Sequence, residues 1–312
     1  MKVYTDIAQF KGVKFPVVTS GTFDGVHLGH QKIIQRLREI AEESQGETVI
    51  LTFYPHPRMV LFPEDNDLKL LNTQEEKIAL LEKQGVDHLI IYPFTKKFSR
   101  VSSVNFIRDI LVNKIGTRKL VIGYNHHFGR NREGSFEHLK TSGPVHGFEV
   151  EEIPAQDIET IEISSTQIRN ALLAGRVKHA NAFLGYPYML TGKVVKGRQI
   201  GRSLGYPTAN IVLEDKYKLV PSNGIYVTEV SYGNDRYKGM MSIGLNPTVN
   251  GTERTIEVNI LDFDKDIYGE KLEIRMVDKI RDEVKFGSLE ELKQKMHADK
   301  EHTLLTFAKL NA

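Results

Sequence analysis

The feature that most constrains this chain is a change of hydrophobic period near its middle. Up to about residue 185, short apolar runs alternate with stretches whose apolar residues recur every three or four positions. Phe15 to Ser20, Thr48 to Tyr54, His88 to Tyr92 and Lys119 to Tyr124 read as buried strands. Between them, Leu28 to Ile40 carries apolar residues at 28, 33, 34, 37 and 40. Gln74 to Gln84 is also helical and stops at Gly85, and a further helix lies near Val104 to Val112. This alternation predicts a parallel sheet with crossover helices, whose ligands sit beyond the carboxyl ends of the strands. After residue 185 the helical period disappears. Tyr188 to Val195, Ala209 to Leu213, Ile225 to Tyr232, Arg236 to Ile243, Thr255 to Phe263 and Leu272 to Ile280 are strand-like, with hairpin-turn chemistry at Gly233-Asn234-Asp235. A mainly antiparallel sheet or barrel is expected there. A helix from Ser288 to Leu310 follows, with Ser288 and Glu291 spaced as a capping box. The reading is α/β: a domain over residues 1–184, a domain over 185–312, and a helical junction from Ile163 to Gly185.

The length of 312 residues suits two domains at roughly 100–200 residues each. Lys plus Arg number 42 against 40 Asp plus Glu, a net charge of +2. That balance argues against a broad nucleic-acid footprint. With no cysteine, the chain has neither a disulfide framework nor a thiolate nucleophile, which suits a reducing compartment. No apolar run approaches the roughly 20 residues of a membrane span, and no apolar h-region follows Met1-Lys2. The expectation is a cytoplasmic protein without a membrane, nucleic-acid or protein partner.

Gly21 to His30, GTFDGVHLGH, lies between the first strand and the first helix. Gly21, Gly25 and Gly29 allow a tight turn and close backbone approach. The helix start offers free N–H groups and a positive dipole end, which suit a phosphate. His27 and His30 bracket Gly29 and can stabilise charge in a pentacoordinate transition state. Alone, two such histidines read as surface residues; between a strand, glycines and a helix they read as a site. Neither GxGxxG nor GxxxxGK[ST] is present, which counts against a dinucleotide site or a P-loop.

HxGH in such a turn is the mark of the nucleotidylyltransferase superfamily, and the longer string resembles the prokaryotic bifunctional riboflavin kinase/FAD synthetases. TFYPHP at 52–57, GYNHHFG at 123–129 and ISSTQIR at 163–169 are similar to later segments of that family. The resemblance implies adenylyl transfer: the FMN phosphate attacks the α-phosphorus of MgATP, giving FAD and pyrophosphate. It places Gly21, Phe23, Asp24, Gly25, Gly29, Asn125, Ser164, Ser165 and Thr166 at ATP or phosphate, with His27, His30 and Arg169 catalytic and His56 at the flavin. Ser164, Ser165 and Thr166 open a helix with Arg169 one turn in, an anion clamp suited to pyrophosphate. Read alone, they are a plain N-cap. Asn125 ends a strand and could hold a base or a phosphate.

In the second half, Gly197 to Asn210, GRQIGRSLGYPTAN, is the densest signal. Gly197, Gly201 and Gly205 make a flexible loop able to approach phosphates, and Arg202 adds charge. Thr208 and Asn210 share one face of an extended strand and can together offer oxygen ligands to magnesium. The segment resembles the riboflavin kinase motif without a gap, and PSNGIY at 221–226, GLNPT at 244–248 and RDEVKF at 281–286 agree with it. The resemblance makes Glu257 the general base for the riboflavin 5′-hydroxyl. It places Tyr206, Arg281 and Phe286 at the flavin, and Thr208 and Asn210 at Mg2+. Relatives usually have His two residues after this Glu; here it is Asn259.

The leading expectation is thus a bifunctional enzyme with substrates riboflavin, FMN and ATP. The competing readings are a nucleotidylyltransferase with another acceptor and a non-catalytic flavin-binding second domain, and a flavin-binding regulator. An RNA-binding role, suggested by HxGH in aminoacyl-tRNA synthetases, is disfavoured by the charge balance.

Overall fold

The computed structural model of the chain describes residues 1–64, 67–123, 127–153, 163–197, 201, 204–248 and 251–310. Its packing divides into two compact units, Met1–Ser165 and Thr166–Ala312.

The first unit holds a six-stranded sheet in the order β1-β4-β3-β2-β5-β6, with every neighbouring pair parallel. The strands are β1 (Lys2–Tyr4), β2 (Pro16–Ser20), β3 (Glu47–Tyr54), β4 (His88–Pro93), β5 (Lys119–Gly123) and β6 (Glu149–Ile153). β2 is buried along its whole length, as a strand covered on both faces requires. The chain moves from β2 outward through β3 and β4 on one side, then returns to β5 and β6 on the other. The order therefore reverses beside β2, which opens a crevice at its carboxyl end. α1 (Leu28–Glu43) buries Ile34, Leu37, Ile40 and Ala41 and packs against β2, β3 and β5. Further helices of this unit include α2 (Pro57–Leu61), α3 (Gln74–Lys83), α4 (Phe106–Ile115) and α5 (Phe136–His146). α4 is wound with wide π-type turns and ends at Gly116 in the left-handed region.

In the second unit β7 (Tyr188–Val195), β8 (Ala209–Val212), β9 (Gly224–Tyr232), β10 (Asp235–Thr248), β11 (Gly251–Ile260) and β12 (Lys271–Arg281) close into an antiparallel barrel, order β10-β11-β8-β7-β12-β9. The expected hairpin forms, with Tyr232 paired to Asp235 around Gly233-Asn234. The junction is helical: α6 (Ser165–Leu173) and α7 (Val177–Leu184). Asn181 fastens α7 to the barrel, its Nδ2 donating to the Met276 carbonyl at 2.9 Å and its Oδ1 accepting from the Tyr188 amide at 2.8 Å.

The last helix, α8 (Leu289–Leu310), starts with the Ser288 hydroxyl accepting from the Glu291 amide at 3.2 Å. The return bond of the expected capping box goes one residue further out: Glu291 accepts from the Gly287 amide at 3.0 Å. Further along, buried Asp299 accepts from Arg281 Nη2 at 2.7 Å and Nε at 3.0 Å. Removing one partner of a buried ion pair leaves an uncompensated charge. Asp299→Ala is therefore expected to destabilise the barrel unit by about 3 kcal/mol, read as a lower urea midpoint.

Candidate functional site

The turn from β2 to α1 is backbone-strained. Phe23 has φ 49°, Gly25 90° and Val26 36°. A β-branched residue at positive φ is an outlier costing on the order of 1–3 kcal/mol, held only where surroundings over-determine it. Here they do. Lys77 Nζ donates to the Thr22 carbonyl at 2.8 Å, and Thr52 Oγ1 to the same oxygen at 3.3 Å. Asp24 Oδ1 accepts from the Leu71 and Asn72 amides at 3.0 and 3.4 Å. Ser165 Oγ donates to the Asp24 carbonyl at 2.8 Å. Ser165 thus reaches the GTFDG turn although 141 residues separate the bonded pair.

The His27 and His30 rings stack at 3.7 Å between centroids, 20° from parallel, with Phe23 5.1 Å from His30. Nδ1 of His30 is buried without a hydrogen-bond partner among the described residues. Burial, aided by His27 and Lys77, holds the His30 imidazole well below its usual value, so it is neutral at pH 7. Lys77 is itself buried, which lowers its ammonium, and Asp24 acts against that shift. His56 follows β3 and accepts at Nδ1 from the Arg58 amide at 3.2 Å, opening α2. β3 neighbours β2, so TFYPHP and the GTFDG turn leave the same sheet edge. Arg169 stands one turn into α6. Asn125 lies outside the described residues.

Sequence reasoning passed over Lys77 and Asn72. Asn72 is 1% exposed, and its side-chain amide has no hydrogen-bond partner among the described residues. The signal for Lys77 was present: it lies three and four residues before Leu80 and Leu81, on the buried stripe of α3.

In the barrel, Thr208 Oγ1 donates to Glu257 Oε2 at 3.1 Å. Behind this contact lies register: Glu257 pairs with Asn210 and Val258 with Ala209 across β11 and β8. Gly197 runs so close to the Asn210 amide that any Cβ there would overlap it. Asn259 Nδ2 donates to the Pro207 carbonyl at 2.7 Å. A cavity opens beside Thr208, walled by Val194, Val258 and Ile260 and rimmed by Phe263, Lys265 and Tyr268. Gly201 closes a turn by accepting from the Leu204 and Tyr206 amides, and Gly205 is left-handed at φ 85°. The Tyr206 hydroxyl and His297 Nδ1 lie 3.3 Å apart. Arg281, gripped by Asp299, has its guanidinium 5.7 Å from the centre of the Phe286 ring. Arg202 lies outside the described residues.

A parallel sheet carrying an HxGH turn at its switch point, followed by an antiparallel barrel carrying a Thr–Glu pair beside a glycine loop, defines a two-part nucleotide-dependent transferase. The FAD synthetase family matches residues 13–167 and the riboflavin kinase family residues 184–307. The bifunctional riboflavin kinase/FMN adenylyltransferase of Listeria monocytogenes is 38% identical over 295 residues, 94% of this chain and 93% of that one. Its counterpart from Escherichia coli K12 is 35% identical over 284 residues, 91% and 90% of the two chains. A crystal structure described as a macrolide-efflux protein from Streptococcus pneumoniae is similar at TM-score 0.88 and 34% identity, covering 96% of this chain and 98% of its own. No helix among the described residues is long and apolar enough to cross a membrane. The chain belongs to the bifunctional riboflavin kinase/FMN adenylyltransferase family.

Proposed function

We infer that this chain phosphorylates riboflavin to FMN and then adenylylates FMN to FAD, using ATP in each step, with the catalytic parts over residues 185–312 and 1–184. The observation that carries the reading is the Thr208–Glu257 contact at 3.1 Å, which joins the GYPTAN segment to the carboxylate expected to act as the base, in a chain whose other half belongs to the FAD synthetases.

In the kinase step Glu257 takes the proton of the riboflavin 5′-hydroxyl as its oxygen bonds to the γ-phosphorus. The bond from that phosphorus to the β-bridging oxygen breaks, and ADP leaves. Among the described residues only one Glu257 oxygen is engaged, by Thr208, which leaves the other for the substrate hydroxyl. Magnesium fits this place, because Thr208 and Asn210 offer neutral oxygen donors beside a carboxylate. When bound, the ion neutralises phosphate charge; Thr208 and Asn210 would hold it. Tyr206, Arg281 and Phe286 are the flavin contacts of this half, and the loop of Gly197, Gly201, Arg202 and Gly205 covers the phosphates.

In the second step an FMN phosphate oxygen attacks the α-phosphorus of ATP, and the bond to the bridging oxygen breaks to release pyrophosphate. The nucleophile is already ionised, so the site needs positioning and charge stabilisation rather than a strong base. His27 and His30 donate to the reacting phosphate, while the α1 N-terminus with Gly21, Phe23, Asp24, Gly25 and Gly29 cradles the nucleotide. Ser164, Ser165, Thr166 and Arg169 take the pyrophosphate, Asn125 takes the nucleotide, and His56 faces the flavin. A cytoplasmic location suits the ATP requirement and the cysteine-free sequence.

The test is a chromatographic time course of purified protein with riboflavin, ATP and magnesium. FMN followed by FAD is expected. FMN alone would leave the first half with another acceptor. FAD from supplied FMN, with nothing from riboflavin, would leave a silent kinase half.

A further inference from the structure

The β8–β11 ladder is short. It pairs Asn210 with Glu257 and Ala209 with Val258, then stops. Continued by one step, it would set Thr208 opposite Asn259. The step after that would need Pro207, which has no N–H to give a ladder. The segment carrying the candidate metal ligand Thr208 therefore lies just beyond the last backbone pair. Asn259 reaches across this gap. It shares a strand face with Glu257, two residues away. Its side chain is buried, at 5% exposure, and Nδ2 donates to the Pro207 carbonyl at 2.7 Å, at the short end of the N–H···O range. Its other amide atom, Oδ1, is buried and accepts no hydrogen bond among the described residues. A buried acceptor left unpaired is unfavourable, so an apolar side chain would serve packing better. What the position uses is the donor.

We propose that Asn259 is a positioning residue of the kinase reaction: its amide extends the β8–β11 ladder by a side-chain bond, and so sets the Pro207–Thr208 peptide against Glu257. The inference rests on the kinase reading of this site. It also accounts for a departure from the usual His at this position, since a neutral imidazole carries one N–H and can supply the same bond.

The experiment compares N259D, N259L and N259H with the unchanged chain at about pH 8, where an ordinary histidine is neutral and an ordinary aspartate ionised. N259D turns a carboxylate oxygen toward the Pro207 carbonyl, N259L keeps similar bulk without a donor, and N259H restores a donor. Three quantities are read: the magnesium dependence of riboflavin phosphorylation, the magnesium-dependent gain in ADP affinity by calorimetry, and hydrogen exchange over residues 206–212. Calorimetric thermal unfolding monitors folding of the barrel unit, and adenylylation of supplied FMN that of the first unit. Misplacement of Thr208 should raise the magnesium requirement and lower kcat by roughly 10–100-fold in N259D and N259L, with little change in KM for riboflavin. N259H should remain close to the unchanged chain. ADP affinity should lose its magnesium dependence and exchange over 206–212 should rise in N259D and N259L alone. Unchanged magnesium dependence and exchange in both of these variants would overturn the proposal, as would N259H behaving like N259L. If N259D does not fold, the Leu and His variants decide the matter. If the unchanged chain makes no FMN, the kinase reading fails by itself, while ADP binding and exchange still test the hold of Asn259 on Pro207.

Discussion

Glu257→Gln is expected to cut FMN formation from riboflavin by about 10²–10⁴-fold, the range for losing a positioned general base. The substitution keeps the shape, and the Gln carbonyl can still accept from Thr208 Oγ1, now 3.1 Å from the carboxylate. What disappears is the group able to carry the 5′-hydroxyl proton away. KM for riboflavin should move little, because the proton transfer belongs to the transition state. Conversion of supplied FMN to FAD should be unchanged. High-performance chromatography of both reactions on one preparation separates the outcomes. Equal loss of both activities would mean that Glu257 acts through folding rather than as a base.

His30→Ala should show the opposite pattern. FMN accumulates from riboflavin, while FAD formation falls by about 10²–10³-fold, the range for removing a donor that stabilises transition-state charge. The effect is electrostatic. Burial, His27 and Lys77 keep the His30 ring neutral, and Asp24 is the carboxylate that acts on Lys77. An incoming polyphosphate favours the protonated ring, so ATP binding should draw a proton into the site. Calorimetry in buffers of different ionisation enthalpy reads that uptake, and His30→Ala should reduce it. Unimpaired FAD formation would sink the role given to the HxGH turn.

Much of this was legible along the chain. Period change placed β2, β3, β4 and β5, and the run of strands after residue 185 anticipated the barrel. The elements that escaped are those with weak local signals. β1 is a three-residue edge strand, β6 reads EVEEI and is half-exposed, and α5 contains Pro144. Burial on both faces writes a continuous apolar run into a sequence, whereas an edge strand needs only occasional apolar residues. Candidate residues followed the same rule. GTFDGVHLGH and GYPTAN were visible because their chemistry is packed into consecutive positions. Lys77 was not, and Asn259 showed only as a departure from the usual His, because each works on a backbone carbonyl more than fifty residues away.

By itself, then, the sequence determined the order of the strongly periodic elements, the two chemistries and the family resemblance, all of which depend on neighbours in the chain. Only the tertiary structure decided which distant groups meet. Sheet order brought Lys77 under Thr22, docking brought Ser165 to Asp24, and barrel register brought Glu257 to Thr208 and Asn259 to Pro207. The physical reason is that a hydrogen bond is fixed to a few tenths of an ångström. A strand moved by one residue carries every side chain to the opposite face. Local period specifies which face is buried, and closure of the sheet and barrel selects the partner.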